Sequence, residues 1–185
     1  MPVIDTFHDQ ETLTLTIVAE FAAPLERVWE VYADPRQLEQ IWGPPTYPAT
    51  VVDHSLAPGG RVTYYMTSPE GEKFCGLWEL TAVDRPTRLE FRDYFADEDF
   101  TVVESMPGSS CVYRFEATET GTRATYESIF DSAEGLRTVL EMGVIEGSTG
   151  AINQIDGLLA RGGTANRANS QPSELAKGDS AGEEC

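Results

Sequence analysis

Few side chains in this sequence could do chemistry, and their spacing narrows the choice further. His54 is the only histidine within the body of the chain, since His8 lies near its start. An imidazole titrates near neutrality and can act as a general base when a nucleophile and an orienting acid stand beside it. No such partners are recognisable at any spacing, so His54 reads as an ordinary strand or surface histidine. Cys75, Cys111 and Cys185 are odd in number and widely separated, without the CxxC or Cys/His clustering that zinc needs. Cys75 and Cys111 read as small buried hydrophobes in a reducing compartment. The run Asp97-Glu98-Asp99 lacks further carboxylates at coordinating intervals and reads as a solvated loop. Glu146 admits two readings, a pocket carboxyl with a raised pKa that serves as acid or polar anchor, or an exposed residue on the outer face of a helix. Neither a metal nor a cofactor is expected.

What remains is apolar and aromatic. Trp29, Trp42, Trp78, Tyr64 and Tyr65 could wall a pocket for a flat guest, because aromatic rings supply contact area with few rotors; core packing accounts for them equally well. Trp42 is followed by Gly43-Pro44-Pro45, which ends its helix where a pocket mouth would lie. Met66 and Met142 are adaptable fillers. Phe91, Tyr113 and Tyr126, with Gly143, Glu146 and Gly147, complete the set expected to line a cavity.

The elements that must position these residues are written in the periodicities. Leu13, Leu15, Ile17, Ala19 and Phe21 alternate with mostly polar neighbours, predicting a first strand over residues 12–21. Pro24 then opens a helix with Leu25, Val28, Trp29 and Tyr32 on one face. Asp34 caps a second short helix, with Pro35 at its first position and Gln37 completing a capping box. From Thr50 to Phe130 the turns at Pro58-Gly59-Gly60, Glu70-Gly71, Asp84-Arg85-Pro86, Met106-Pro107-Gly108 and Thr120-Gly121 punctuate a strand meander. Leu89, Phe91 and Phe95 share a parity, as do Tyr113, Phe115 and Ala117, and Ala124, Tyr126 and Phe130, while charged residues take the opposite one. One face of the sheet is dry and must be covered. The cover is one long helix over residues 132–160, capped by Asp131 and carrying Leu136, Val139, Leu140, Val144, Ile152, Ile155, Leu158 and Leu159. Gly143, Gly147 and Gly150 fall inside it at a cost of about 0.8–1 kcal/mol each relative to alanine, so either a close approach to the sheet or room for a guest is expected there.

Composition bounds the function. The chain has 185 residues, 41% apolar and 10% aromatic, as in an ordinary globular domain. Acidic residues outnumber basic ones 31 to 13, a net charge of −18 that repels phosphate backbones and anionic lipids, so nucleic acid and membrane are excluded as expected partners. The first residues carry no basic start or apolar run, and no stretch approaches a membrane span; a cytoplasmic protein is expected. Residues 1–10 read as an N-terminal arm, 11–160 as the domain, and 161–185, where Leu175 is the only large apolar residue, as a disordered tail.

Several strings together resemble one family. They are Ala23-Pro24 with Val28-Trp29 and Asp34-Pro35, Leu38 through Trp42-Gly43-Pro44, Pro58-Gly59-Gly60-Arg61 with Tyr64-Tyr65-Met66, Pro69-Glu70-Gly71, Gly76, Trp78, Arg88-Leu89-Glu90-Phe91, Asp97-Glu98-Asp99, and Glu141 through Gly147. Over residues 11–160 their order resembles the homologues of the heat-shock protein 90 ATPase activator, C-terminal domain type, within the START-like or SRPBCC superfamily. The resemblance implies an α+β helix-grip fold: a curved antiparallel sheet, two short helices after the first strand, and a long C-terminal helix over an apolar cavity. That superfamily includes lipid binders, cyclases, stress proteins and co-chaperones. The eukaryotic activator also has an N-terminal domain for which there is no room before the first strand, which weakens the expectation of chaperone ATPase stimulation. The leading expectation is a non-catalytic module, monomer or homodimer, that binds a small hydrophobic or amphipathic ligand, its rim formed by residues 42–48 and 95–107. A co-chaperone-like protein-interaction module and a cyclase- or hydrolase-type enzyme acting on an aromatic substrate are the alternatives.

Overall fold

The computed structural model describes residues 1–167, with side chains through Arg161. Eight strands form one antiparallel sheet: β1 (Val3–Asp9), β2 (Thr14–Phe21), β3 (Ala49–His54), β4 (Arg61–Thr67), β5 (Lys73–Asp84), β6 (Arg88–Ala96), β7 (Ser109–Thr118) and β8 (Gly121–Phe130). The order across the sheet is β1-β2-β8-β7-β6-β5-β4-β3, so β3 to β8 run as a meander and β2 returns to pair with β8. The helices are α1 (Leu25–Ala33), α2 (Pro35–Leu38), α3 (Ala133–Glu141) and α4 (Val144–Arg167). The chain thus has the α+β helix-grip architecture.

The alternating parities become one buried face. Leu89 pairs with Tyr113, Tyr113 with Tyr126, and Tyr126 with Ile17, a row that crosses four strands with all its side chains on the helix side. Asp34 caps α2 as its sequence requires: its carboxylate accepts from the Arg36 backbone N–H at 2.8 Å and from the Gln37 side chain at 3.2 Å. The bonds made by its charged form hold the Asp34 carboxyl below its ordinary range.

Four expectations need correction. The N-terminal arm is strand β1, paired along β2; most of its side chains are exposed on both faces, so it carries no alternating pattern to read. The last helix is not continuous. It breaks at Met142-Gly143, where Gly143 takes φ +81°, a left-handed turn suited to glycine at a helix C-terminus. Its cap is Ser132, whose hydroxyl accepts from the Gly135 N–H at 3.0 Å. Asp131 instead meets Arg92 in a two-point ion pair of 2.9 and 2.6 Å, which fixes the start of α3 against the sheet and holds the Asp131 carboxyl below its ordinary range. Finally, α4 continues to Arg167 into the expected tail. The rest of that tail, with Leu175 and Cys185, lies outside the described residues.

The interior is unevenly filled. A large cluster joins α1, the sheet and the middle of α4, through residues such as Trp29, Tyr32, Phe115, Ile155 and Leu158. A smaller one, Leu15, Phe130, Leu136 and Val139, packs α3 onto β2 and β8. No helix among the described residues is long and apolar enough to cross a membrane.

Candidate functional site

Beneath the α3–α4 break, next to the smaller cluster, lies a cavity of about 350 Å³. Its floor is the dry face of β2 and β4 to β8; its roof is Val139, Met142, Gly143, Val144, Gly147, Ser148, Ala151 and Ile152; one side is closed by Ile41, Trp42 and Pro44 from the turn after α2. The glycines explain the hollow. A Cβ at Gly147 would meet nothing within 4 Å, and one at Gly150 only Pro45 Cδ at 3.7 Å, so neither exists to let helix and strand backbones touch. Close approach to the sheet, one of the two options open to the sequence, is therefore not what Gly147 and Gly150 serve. The side wall is fixed by Gln154 of α4, whose amide donates to the Gly43 carbonyl oxygen at 2.7 Å. A Cβ at Gly43 would collide with the Tyr47 carbonyl, so the turn that presents Trp42 needs a glycine.

The structure brings together on the cavity wall Trp42, Tyr64, Met66, Tyr113, Tyr126, Met142, Gly143 and Gly147. The other four expected lining residues sit elsewhere. Trp29 is buried edge-on against Phe115 at 6.1 Å, on the helix α1 side of the core. Trp78 and Phe91 stack at 4.3 Å behind the wall, where Trp42 packs edge-on against Trp78 at 4.5 Å and stands between it and the opening. Glu146 is exposed, because the break at Gly143 resets the phase of the helix and turns it outward. His54 is likewise off the cavity, its Nε2 donating to the Tyr32 carbonyl oxygen at 2.9 Å. In the acidic loop Asp97 accepts from the Asp99 and Thr101 backbone N–H groups at 3.0 and 2.9 Å, which makes it a turn scaffold.

The residue that sequence reasoning missed is Asp93. It lines the cavity together with Ser109, Ser128, Cys75 and Tyr32. Its signal was present: Asp93 holds the parity of Leu89, Phe91 and Phe95, and it pairs across the strands with buried Trp78 and Ser109. A carboxylate on a dry face is a conflict between pattern and chemistry, and such conflicts mark functional positions. Asp93 is enclosed by protein but keeps part of its surface open to the cavity. The Tyr64 hydroxyl donates to its Oδ1 at 3.4 Å. Gly76, opposite Tyr64 in the register, makes that reach possible, since a Cβ there would stand 2.5 Å from the Tyr64 oxygen. Burial pushes the Asp93 carboxyl up to about 7, against the smaller opposing effects of the Tyr64 and Tyr94 hydrogen bonds. The surrounding phenols and thiols are pushed up too. Burial raises Tyr32, Tyr64, Tyr113 and Tyr126 above the phenol range, and Cys111 to about 12. Tyr32 donates to the Tyr126 oxygen at 2.8 Å, giving the cavity a second, neutral polar point. The buried Trp42 indole N–H makes no well-formed hydrogen bond, although its proximity eases ionisation of Tyr64. Among the described residues, no three His, Cys, Asp or Glu side chains converge as a metal site would require.

A curved antiparallel sheet, gripped by a C-terminal helix over a largely apolar cavity, defines a helix-grip protein. Residues 22–160 match the family described as activator of Hsp90 ATPase homolog 1-like protein, and the chain belongs to that family. Among solved structures, the chain is similar to a Mycobacterium smegmatis protein at 63% identity and TM-score 0.80, covering 85% of this chain and 97% of that one. It is also similar to an Arthrobacter aurescens protein at 41% identity and TM-score 0.82, covering 95% and 99%. A family member from Silicibacter pomeroyi, at 23% identity and TM-score 0.63 with 80% and 97% covered, shares the fold. No curated protein matches the chain.

Proposed function

We propose that this chain is a non-catalytic binding protein that holds a small amphipathic molecule in the cavity beneath the α3–α4 break. The observation that carries this reading is the open space at Gly147: a helix bears the cost of glycine where an alanine would clash with nothing. A cavity of about 350 Å³, walled by aromatic and aliphatic side chains with a few convergent polar groups, has the size and chemistry of small-molecule sites. Against an acid–base enzyme stands the makeup of the polar groups. Among the described residues lining the cavity, no histidine, lysine or second carboxylate stands beside Asp93 to share a proton-transfer cycle with it. The unpaired Cys75 and Cys111 suit a reducing cytoplasm.

The test is native mass spectrometry of the protein purified from its own host, alongside Gly147→Phe, which projects a ring into the hollow. The wild type is expected to retain a small-molecule adduct and to bind an environment-sensitive apolar dye. The variant should lose both while keeping its circular dichroism spectrum. A wild type with no adduct and no dye binding overturns the proposal.

A further inference from the structure

The cavity has one end unlike the rest, and it concerns the guest's head group. Among the described residues that line it, Asp93 is the only carboxylate, and no Lys, Arg or His accompanies it. The guanidinium of the adjacent Arg92 points to the other face of the sheet, where Asp131, Ser110 and the Tyr94 hydroxyl occupy it. One side-chain donor reaches the carboxyl from the protein, the Tyr64 hydroxyl at a long 3.4 Å. A carboxylate accepts about four hydrogen bonds, so acceptor capacity is left open toward the cavity. Resting on the cavity reading above, we infer that the guest is an amphipathic amine whose protonated nitrogen pairs with Asp93 while its apolar body lies under Gly147. A buried carboxylate without a cation is costly, and a ligand ammonium supplies the missing partner. The net charge of −18 works in the same direction, raising the concentration of cations near the opening and disfavouring anionic amphiphiles such as fatty acids.

The groups that face Asp93 do not obscure its titration. From β4, β5 and β7 come Tyr64, Cys75, Cys111 and Tyr113, and from α1 and β8 come Tyr32 and Tyr126; burial raises the pKa of each, so all stay neutral near pH 7. The lining contributed by α3 and α4 contains no titratable side chain. Among the described residues that line the cavity, Asp93, held near 7 by burial, is therefore the group whose charge changes between about pH 6 and pH 8.

The experiment compares octylamine, octanol and octanoate on the full chain by calorimetry at physiological salt. Octylamine should bind at least about tenfold more tightly than octanol at about pH 8, with octanoate weakest. Its affinity should fall about tenfold between about pH 8 and pH 6, as Asp93 passes from mostly ionised to mostly protonated, while octanol holds steady. Asp93→Asn should abolish the amine preference and the pH step and leave octanol binding in place. Should that variant fail to fold, the three wild-type affinities and their pH dependence decide. Octanoate binding as tightly as octylamine, or a preference for the amine that survives in Asp93→Asn, overturns the inference alone. Absence of binding by all three compounds overturns the cavity reading with it.

Discussion

Two successive stretches of α4 cover the same sheet on different terms. The stretch from Ile152 to Leu158 is driven into the core: Ile155 is fully buried and Leu158 nearly so, within the cluster that holds Trp29, Tyr32 and Phe115. The stretch before it roofs the cavity: Val144 and Ile145 pack against the smaller cluster, whereas a Cβ at Gly147 would meet nothing within 4 Å and one at Gly150 only Pro45. One helix therefore supplies both the anchor of the fold and the ceiling of a cavity. Tight packing and open space are separated along its length, which lets the hollow exist without loosening the remainder.

That separation can be broken from either side. The largest effect is expected from Ile155→Ala in the anchored stretch, a loss of about 2–5 kcal/mol measured by chemical denaturation, because close-packed surroundings cannot collapse into the space left behind. Next comes Asp93→Asn. The folded carboxyl sits near 7 against an ordinary 3.8, so its burial costs nothing at low pH, costs progressively more as pH rises from about 4 to 7, and stays constant above that. The asparagine variant should be more stable than wild type by about 2–4 kcal/mol at about pH 8, with the gap closing near about pH 3.5. Equal pH profiles for the two proteins would remove Asp93 from the buried set. The smallest effect has the opposite origin: Gly147→Ala should stabilise by about 0.5–1 kcal/mol, since the methyl meets no obstacle and helix propensity improves. A destabilised Gly147→Ala would mean the ceiling sits lower than the structure has it.

Much of this architecture was legible from periodicity. Alternation along β2, β6, β7 and β8 exposed the dry face, and Asp34-Pro35 announced α2, because those signals depend on local geometry alone. Strand β1 was not legible, since an edge strand exposed on both faces has no reason to alternate. The break at Gly143 was hidden for a different reason: apolar spacing continues across it, and a glycine's left-handed turn leaves no mark on hydropathy. The site was half legible. Eight lining residues were reachable, four by aromatic type and four as methionines or helix glycines, but type alone cannot tell a ring on the wall from one packed behind it, which is where Trp78 and Phe91 lie. Asp93 escaped notice although parity had already placed it among apolar neighbours; what a carboxylate does on that face depends on Gly76 and Tyr64, which come near it only through strand pairing.

The pairing of β2 with β8 has a consequence for biosynthesis. Leu15 and Ile17 form part of the cavity floor, yet their partners are Ser128 and Tyr126, more than a hundred residues downstream. The Val3 N–H bonds to Asn153 on α4 at 3.2 Å, a still longer span. On the ribosome the first two strands can form a hairpin, but they wait for β8 and then α4 to emerge before the container has all its sides. The cavity therefore closes only once β8 and α4 are made, and a nascent chain halted before residue 120 lacks both.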